Sequence, residues 1–328
     1  MKCIKLAALV AFGAWLPAQA QDPSTRSGHD YPAKTVRLII PWAAGGSTDS
    51  IGRIIGPKLV EYTGQQWVID NRAGATGTIG HAVAEKTPPD GYTLLLATNS
   101  TFAIAPHLYK NLAYDNEKAF APITLVAISP QILSVHPSLP VRNVKQLIAL
   151  AKAQPASIPF STAGVGATSH MATELLMNMA GIKLNHVPYK GGAPSAQALI
   201  GGETALSFVD VITALPQAQA GRLRTIATST AKRTTLMPEL PTIAESGLPG
   251  FESITSFAMF APAGTSRDIV GRVNREFVKA LGTADVREKL RAQGIDPVGS
   301  SPDELVAHQK QETAKWGKVI REQNIKFE

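Results

Sequence analysis

Short apolar runs alternate along this chain with longer stretches in which apolar residues return every three or four positions. Residues 36–40, 67–70, 92–97, 123–128, 131–135, 158–161, 184–188, 205–209, 223–228 and 256–260 read as strands. Several are apolar throughout, as at 94–97, the pattern of strands covered on both faces. Between them, Ile51, Ile54, Ile55 and Leu59 share one helical face, and so do Met171, Leu175, Leu176 and Met179. Methionines at that spacing read as core rather than as a ligand box. Ile269, Val273, Phe277 and Leu281 keep an i, i+4 rhythm, and Ser301-Pro302-Asp303-Glu304 combines a capping box with proline at the first helical position. The last helix is expected to run to about Gln323. Gly56-Pro57 predicts a kink or early stop in the first helix. Strands alternating with helices in this way predict an α/β fold.

Three strands end in turns of small residues that open helices. The first turn carries Trp42, Ala44, Gly45, Gly46, Ser47 and Asp49, the second Thr162, Ala163, Gly164, Gly166, Thr168 and Ser169, and the third Tyr189 and Gly191. Glycines let a backbone approach a ligand, and a helix start offers unpaired N–H groups at a positive dipole end. Each turn is thus an anion site built from backbone, and three of them predict a small acidic molecule held from several sides. Asp49 is expected to cap the first helix with its carboxylate, the alternative being a pair with a ligand amine or hydroxyl. Asp210 ends a strand, where it either reads a ligand hydroxyl or amine or stands as a solvated loop acid. Trp42, between Pro41 and the glycines, is expected to wall the pocket. Pro194 falls near the first position of the third helix, where its missing N–H costs nothing.

Enzyme signatures are sparse. The chain has no G-x-S-x-G elbow, no H-E-x-x-H and no phosphate-loop G-x-x-x-x-G-K-[ST]. Histidines at 29, 81, 107, 136, 170, 186 and 308 show no metal-ligand spacing. His170 follows Thr168 and Ser169 without a positioned acid, which favours a packing or helix-start role over a catalytic one. Gly74, Gly77 and Gly80 are spaced G-x-x-G-x-x-G rather than as a dinucleotide fingerprint, so we read a structural turn or one wall of a cleft. No catalytic residue, metal or cofactor is expected.

With 328 residues, 44% of them hydrophobic, the chain can build about two well-filled domains. The formal charge of +7 is scattered without a basic run, which argues against nucleic acid as a partner. Met1 to Lys5 is basic, Leu6 to Leu16 apolar, and Ala18-Gln19-Ala20 supplies the small residues of a cleavage site. The apolar stretch is shorter than the roughly 20 residues needed to span a membrane. We expect a signal peptide over 1–20, cleaved after Ala20, and a flexible leader over 21–30. Cleavage removes Lys2, Lys5 and Cys3, taking the formal charge from +7 to +5 and leaving no cysteine.

The chain from Tyr31 onward resembles one family, the extracytoplasmic solute receptors of tripartite tricarboxylate transporters, or Bug proteins. The residues that carry the resemblance are Tyr31-Pro32 with Pro41 to Asp49, Asn71 to Ala75, and Pro89 to Leu95. Ser161 to Gly166 with His170, Val187 to Gly192, Gly221 to Arg224, Pro241 to Gly247 and Phe260 to Thr265 follow in order. The resemblance implies a two-domain clamshell of type II periplasmic architecture with two interdomain crossings, near 126–132 and 228–240. Domain 1 would comprise 31–127 with 238–328, and domain 2 residues 128–237. It also implies a carboxylate held by backbone N–H groups of facing turns, partly through water, which adds Thr98, Asn99 and Ser100 to the candidates above. Two departures stand out: Ala167 where relatives often carry a hydroxyl, and Gly56-Pro57 inside a helix usually continuous.

The resulting expectation is a monomeric periplasmic receptor that closes on a small organic carboxylate and delivers it to a two-component membrane permease. It would be a binder rather than an enzyme. The alternatives are a sensory module docking on a receptor kinase, and a secreted hydrolase using Ser169 or Ser47 with His170.

Overall fold

The computed structural model describes residues 31–322 and Ile325; the expected signal peptide, its expected cleavage point and the expected leader fall outside the described residues, as does Gln323. In chain order the strands are β1 (Val36–Ile40), β2 (Trp67–Asn71), β3 (Thr93–Thr98), β4 (Phe120–Val135), β5 (Pro159–Thr162), β6 (Asn185–Pro188), β7 (Leu206–Asp210), β8 (Arg224–Thr228), β9 (Ile254–Pro262) and β10 (Asp296–Pro297). The helices are α1 (Ser47–Thr63), α2 (Thr78–Glu85), α3 (Ala105–Leu108), α4 (Val144–Ala153), α5 (Thr168–Ala180), α6 (Gly192–Ile200), α7 (Val211–Gln219), α8 (Arg267–Gly282), α9 (Ala284–Arg291) and α10 (Pro302–Glu322).

Two mixed sheets, each covered by helices, form the two domains of an α/β clamshell. The first runs β2-β1-β3-β9-β4 with β10 on β4, and the second runs β6-β5-β7-β4-β8. Strand β4 belongs to both: residues 120–130 pair with β9, and 131–135 pair with β7. The apolar pattern predicts two separate strands here, 123–128 and 131–135. The structure runs straight through, because Pro130 sits where the ladder changes partners. There the hydrogen bonds pass to Ser229, whose N–H donates to Gln131 O at 2.9 Å and whose Oγ accepts from Gln131 N at 3.0 Å. The chain thus enters the second domain at Pro130–Gln131 and returns at Ser253–Ile254. Ile243, Leu248 and Phe251, which follow the return expected at 238, pack in the second domain's core beside Phe160 and Leu176.

Helix α1 also differs from expectation. It continues through Pro57 to Thr63 and ends on left-handed Gly64. Pro57 lies on the exposed face, where water can take the carbonyl it frees, while Ile51, Ile55 and Leu59 are buried on the other side. Burying each such side chain contributes about 1.5–3 kcal/mol, enough to outweigh one missing hydrogen bond. The expected faces of α5 and α8 are buried at Met171, Leu175 and Leu176 and at Val273, Phe277 and Leu281. At α10 the capping box closes as predicted, with Ser301 N on Glu304 Oε2 at 2.8 Å and Glu304 N on Ser301 Oγ at 3.2 Å.

Several motif residues turn out to be scaffold. Tyr31 OH donates to Gly91 O at 2.6 Å, Asn71 Nδ2 holds Trp42 O at 3.0 Å, and Arg224 Nη1 holds Leu139 O and Val141 O. The domains also meet through apolar contact, since Ala167 and Met171 of α5's N-terminal end pack into clusters built by the first domain. No helix among the described residues is long and apolar enough to cross a membrane.

Candidate functional site

Four helices of eight residues or more begin at one place between the domains: α1 after β1, α5 after β5, α6 after β6 and α7 after β7. Each brings about half a positive charge at its N-terminus. They surround a cavity of about 70 Å³, where one water needs roughly 10–15 Å³ by the same measure, so it suits a small molecule. Its wall includes Trp42, Gly46, Ser47, Thr98, Ser100, Ala163, Thr168, Ser169 and Asp210 among the predicted residues. Thr48 and Ala167, which fall inside the predicted turns, line it too, and Gln131, Gly192, Ala193, Ser195, Ser207, Thr213, Thr255 and Phe257 line it without having been predicted. Among the described residues, no lysine, arginine or histidine faces this space. A wider mouth of about 770 Å³ shares Trp42 and Ala163 with the cavity and adds Gly164, Tyr189, Lys110 and Lys190.

The remaining predicted residues, Ala44, Gly45, Asp49, Asn99, Thr162, Gly166 and Gly191, line neither space. Asp49 is not the expected N-cap. The N-cap is Gly46, and Asp49 turns back from the third helical position to accept Gly45 N–H at 3.0 Å. Arg53 clasps it through Nε at 2.8 Å and Nη2 at 3.1 Å. Burial works to raise its pKa, but the bonds from Arg53, Gly45 and Asn71 prevail and hold it below the usual carboxylate range. Asn99 is fully buried as a bridge, donating to Glu312 Oε2 at 2.9 Å and Ile254 O at 3.0 Å and accepting from Thr168 Oγ1 at 3.0 Å.

The second turn spends most of its N–H groups on itself. Ala163 N donates to Ser169 Oγ, Gly164 N to Thr162 Oγ1 and Gly166 N to His170 Nδ1, while Thr168 N reaches across the domains to Ser100 Oγ. The expected row of free backbone donors is therefore replaced at the cavity wall by side-chain hydroxyls. His170 directs its ring nitrogens at Gly166 N–H and, at 3.2 Å, at Glu174 Oε1, so it is not arranged as the base of a serine nucleophile. Its ring stacks on His186 at 3.9 Å, and burial, then the neighbouring His170, pushes His186 down to about 3.

Asp210 is the acid of the cavity. Its Oδ2 accepts Ser47 Oγ across the domains at 2.6 Å, and burial raises its pKa against the opposing effect of the Ser47 bonds. Beside it on the neighbouring strand stands Gln131, paired in register with Asp210. Trp42 Nε1, Thr98 Oγ1 and Gln131 Oε1 are buried and lack a hydrogen-bond partner among the described residues, and all three residues line the cavity. A buried polar atom left this way costs about 1–3 kcal/mol, which a ligand that satisfies it returns. Strand spacing places Gln131 on the cavity only once β4 and β7 are known to pair, so the sequence offered no signal for it. Among the described residues, no cluster of His, Cys, Asp and Glu could hold a metal ion.

Residues 51–325 match the profile of the tripartite tricarboxylate transporter family receptor. Protein BugT of Bordetella pertussis is 35% identical over 302 residues, covering 92% of this chain and 93% of its own. Among solved structures, R. palustris Rpa4515 with adipate superposes with a TM-score of 0.88 at 38% identity, covering 90% of this chain and 99% of that one. MatC (Rpa3494) from Rhodopseudomonas palustris with bound malate gives 0.84 at 29% identity, covering 88% and 100%.

Proposed function

We propose a function from one premise: the chain belongs to the tripartite tricarboxylate transporter (TctC) receptor family. It is a periplasmic receptor that closes its two domains on a small organic carboxylate and hands that acid to a membrane permease. The observation that carries this reading is the convergence of four helix starts on a cavity rich in hydroxyls and without a cationic side chain. Fixed dipoles and hydroxyls recognise an anion without the desolvation cost of burying a lysine or arginine. Two relatives in solved structures hold adipate and malate, which are carboxylates of the proposed class.

Closure supplies retention. Ser47 Oγ to Asp210, Ser100 Oγ to Thr168 and Thr76 Oγ1 to Val165 O bridge the domains at 2.6, 3.0 and 2.6 Å. An acid bound among these groups favours the closed state by its differential affinity, and the closed surface is what a permease would recognise. The test is a thermal-shift screen against organic acids that includes adipate and malate. A ligand that binds only the folded protein raises its melting temperature, by RT ln(1 + [L]/Kd) in free energy. At least one mono- or dicarboxylate is expected to shift it by several degrees. A flat response to every acid in the panel contradicts the reading.

A further inference from the structure

We infer that His170 is a positioning residue for the ligand cavity, acting through the shape of the second turn. The inference rests on the carboxylate-receptor reading above. His170 is buried, in the first turn of α5, and its Nδ1 accepts the Gly166 N–H at 3.0 Å. Its Nε2 stands 3.2 Å from Glu174 Oε1, one helical turn further on, so the ring proton belongs on Nε2 and Nδ1 presents a lone pair. The carboxylate thereby fixes the tautomer that the Gly166 bond requires.

A second imidazole holds the other end of the same turn. The His186 ring lies against His170 at 3.9 Å and 10°, and against Phe160 at 4.9 Å and 19°. His186 Nε2 meets Thr162 Oγ1 at 2.7 Å, and that hydroxyl also accepts Gly164 N–H at 3.3 Å. The stacked pair thus grips the turn at Thr162–Gly164 and at Gly166. Between and just after those grips come Ala163, Ala167, Thr168 and Ser169, all on the cavity wall.

The present shape of the turn is closely fitted to the opposite domain. Gly166 has φ +80°, and a Cβ there would meet Leu108 Cδ1 of the opposite domain at 2.7 Å. Without an acceptor at Nδ1, the Gly166 N–H would be left buried and unpaired. The turn would then trade its present shape for one that satisfies it. His170 therefore decides which groups the second domain presents to a ligand, although it does not line the cavity itself.

Two substitutions separate this role from packing. H170N puts Oδ1 where Nδ1 stands and keeps the acceptor, whereas H170F keeps the aromatic stack and loses it. Two readouts are taken: calorimetric titration with adipate, and deuterium exchange of the Gly166 amide by NMR in the ligand-free protein. H170F is expected to speed Gly166 exchange and to weaken adipate binding, each about tenfold or more. H170N is expected to stay within about threefold of the parent in both. Unchanged Gly166 exchange in H170F, or H170N as impaired as H170F, overturns the inference. If the parent protein does not bind adipate, the fault lies with that acid or with the receptor reading, and Gly166 exchange alone decides the role of His170.

Discussion

Thr98 carries a hydroxyl that is buried at the cavity wall and lacks a partner among the described residues, a cost borne by the ligand-free protein. Replacing it with valine keeps the shape and removes the unpaired group. Thr98→Val is therefore expected to leave the melting temperature unchanged or slightly raised. The same change should weaken acid binding two- to tenfold, the worth of one hydrogen bond of about 0.5–1.5 kcal/mol. Differential scanning calorimetry and titration calorimetry on the same variant check both halves. Residue identity was a partial guide at this scale. Asp49 and Gly166 sit in the turns that the sequence singles out, yet their polar groups are consumed by Gly45 with Arg53 and by His170. A carboxylate or an N–H near a site can serve the turn rather than the ligand, and only the partner distances separate the two uses.

Among the elements, the turns and the helices they open were legible because small residues and helical spacing are local signals. Their equivalence was not. Gly46 has no atom nearer its would-be Cβ than Ala43 O at 3.8 Å and has an ordinary extended backbone, with φ −88°. Gly164 has φ +132°, and its Cβ would fall 2.9 Å from Thr76 Oγ1, the hydroxyl that bonds Val165 O from the other domain. Gly164→Val is thus expected to weaken acid binding more than tenfold, by straining the turn and displacing a closure contact. Gly46→Ala should stay within about threefold. Equal losses in the two variants, measured by calorimetry, would show that the turns grip through one common geometry. Strand β4 and helix α1 were misjudged for a related reason. Pro130 and Pro57 break a local pattern, but Pro130 falls where the ladder changes partners and Pro57 on an exposed helix face. Tertiary context absorbs both.

Across the whole molecule, the α/β class followed from alternating strands and helices and the two-domain plan from chain length and the family resemblance, whereas the contents of the cleft depended on which strands pair. Gln131 and Asp210 become neighbours only through the β4–β7 register, and Asn99 links α10 to the second turn through Glu312 and Thr168. Under the proposed reading, the positive potential that would hold an anion comes from helix starts and hydroxyl dipoles, and Asp210 is the one acidic side chain among the described residues lining the cavity. Net ligand charge should then dominate recognition. The direct measurement is a calorimetric comparison of the acid that gives the largest thermal shift with its own uncharged amide, matched in length and shape. The account predicts that the acid binds at least a hundredfold more tightly than the amide. Equal affinity for the two would contradict it.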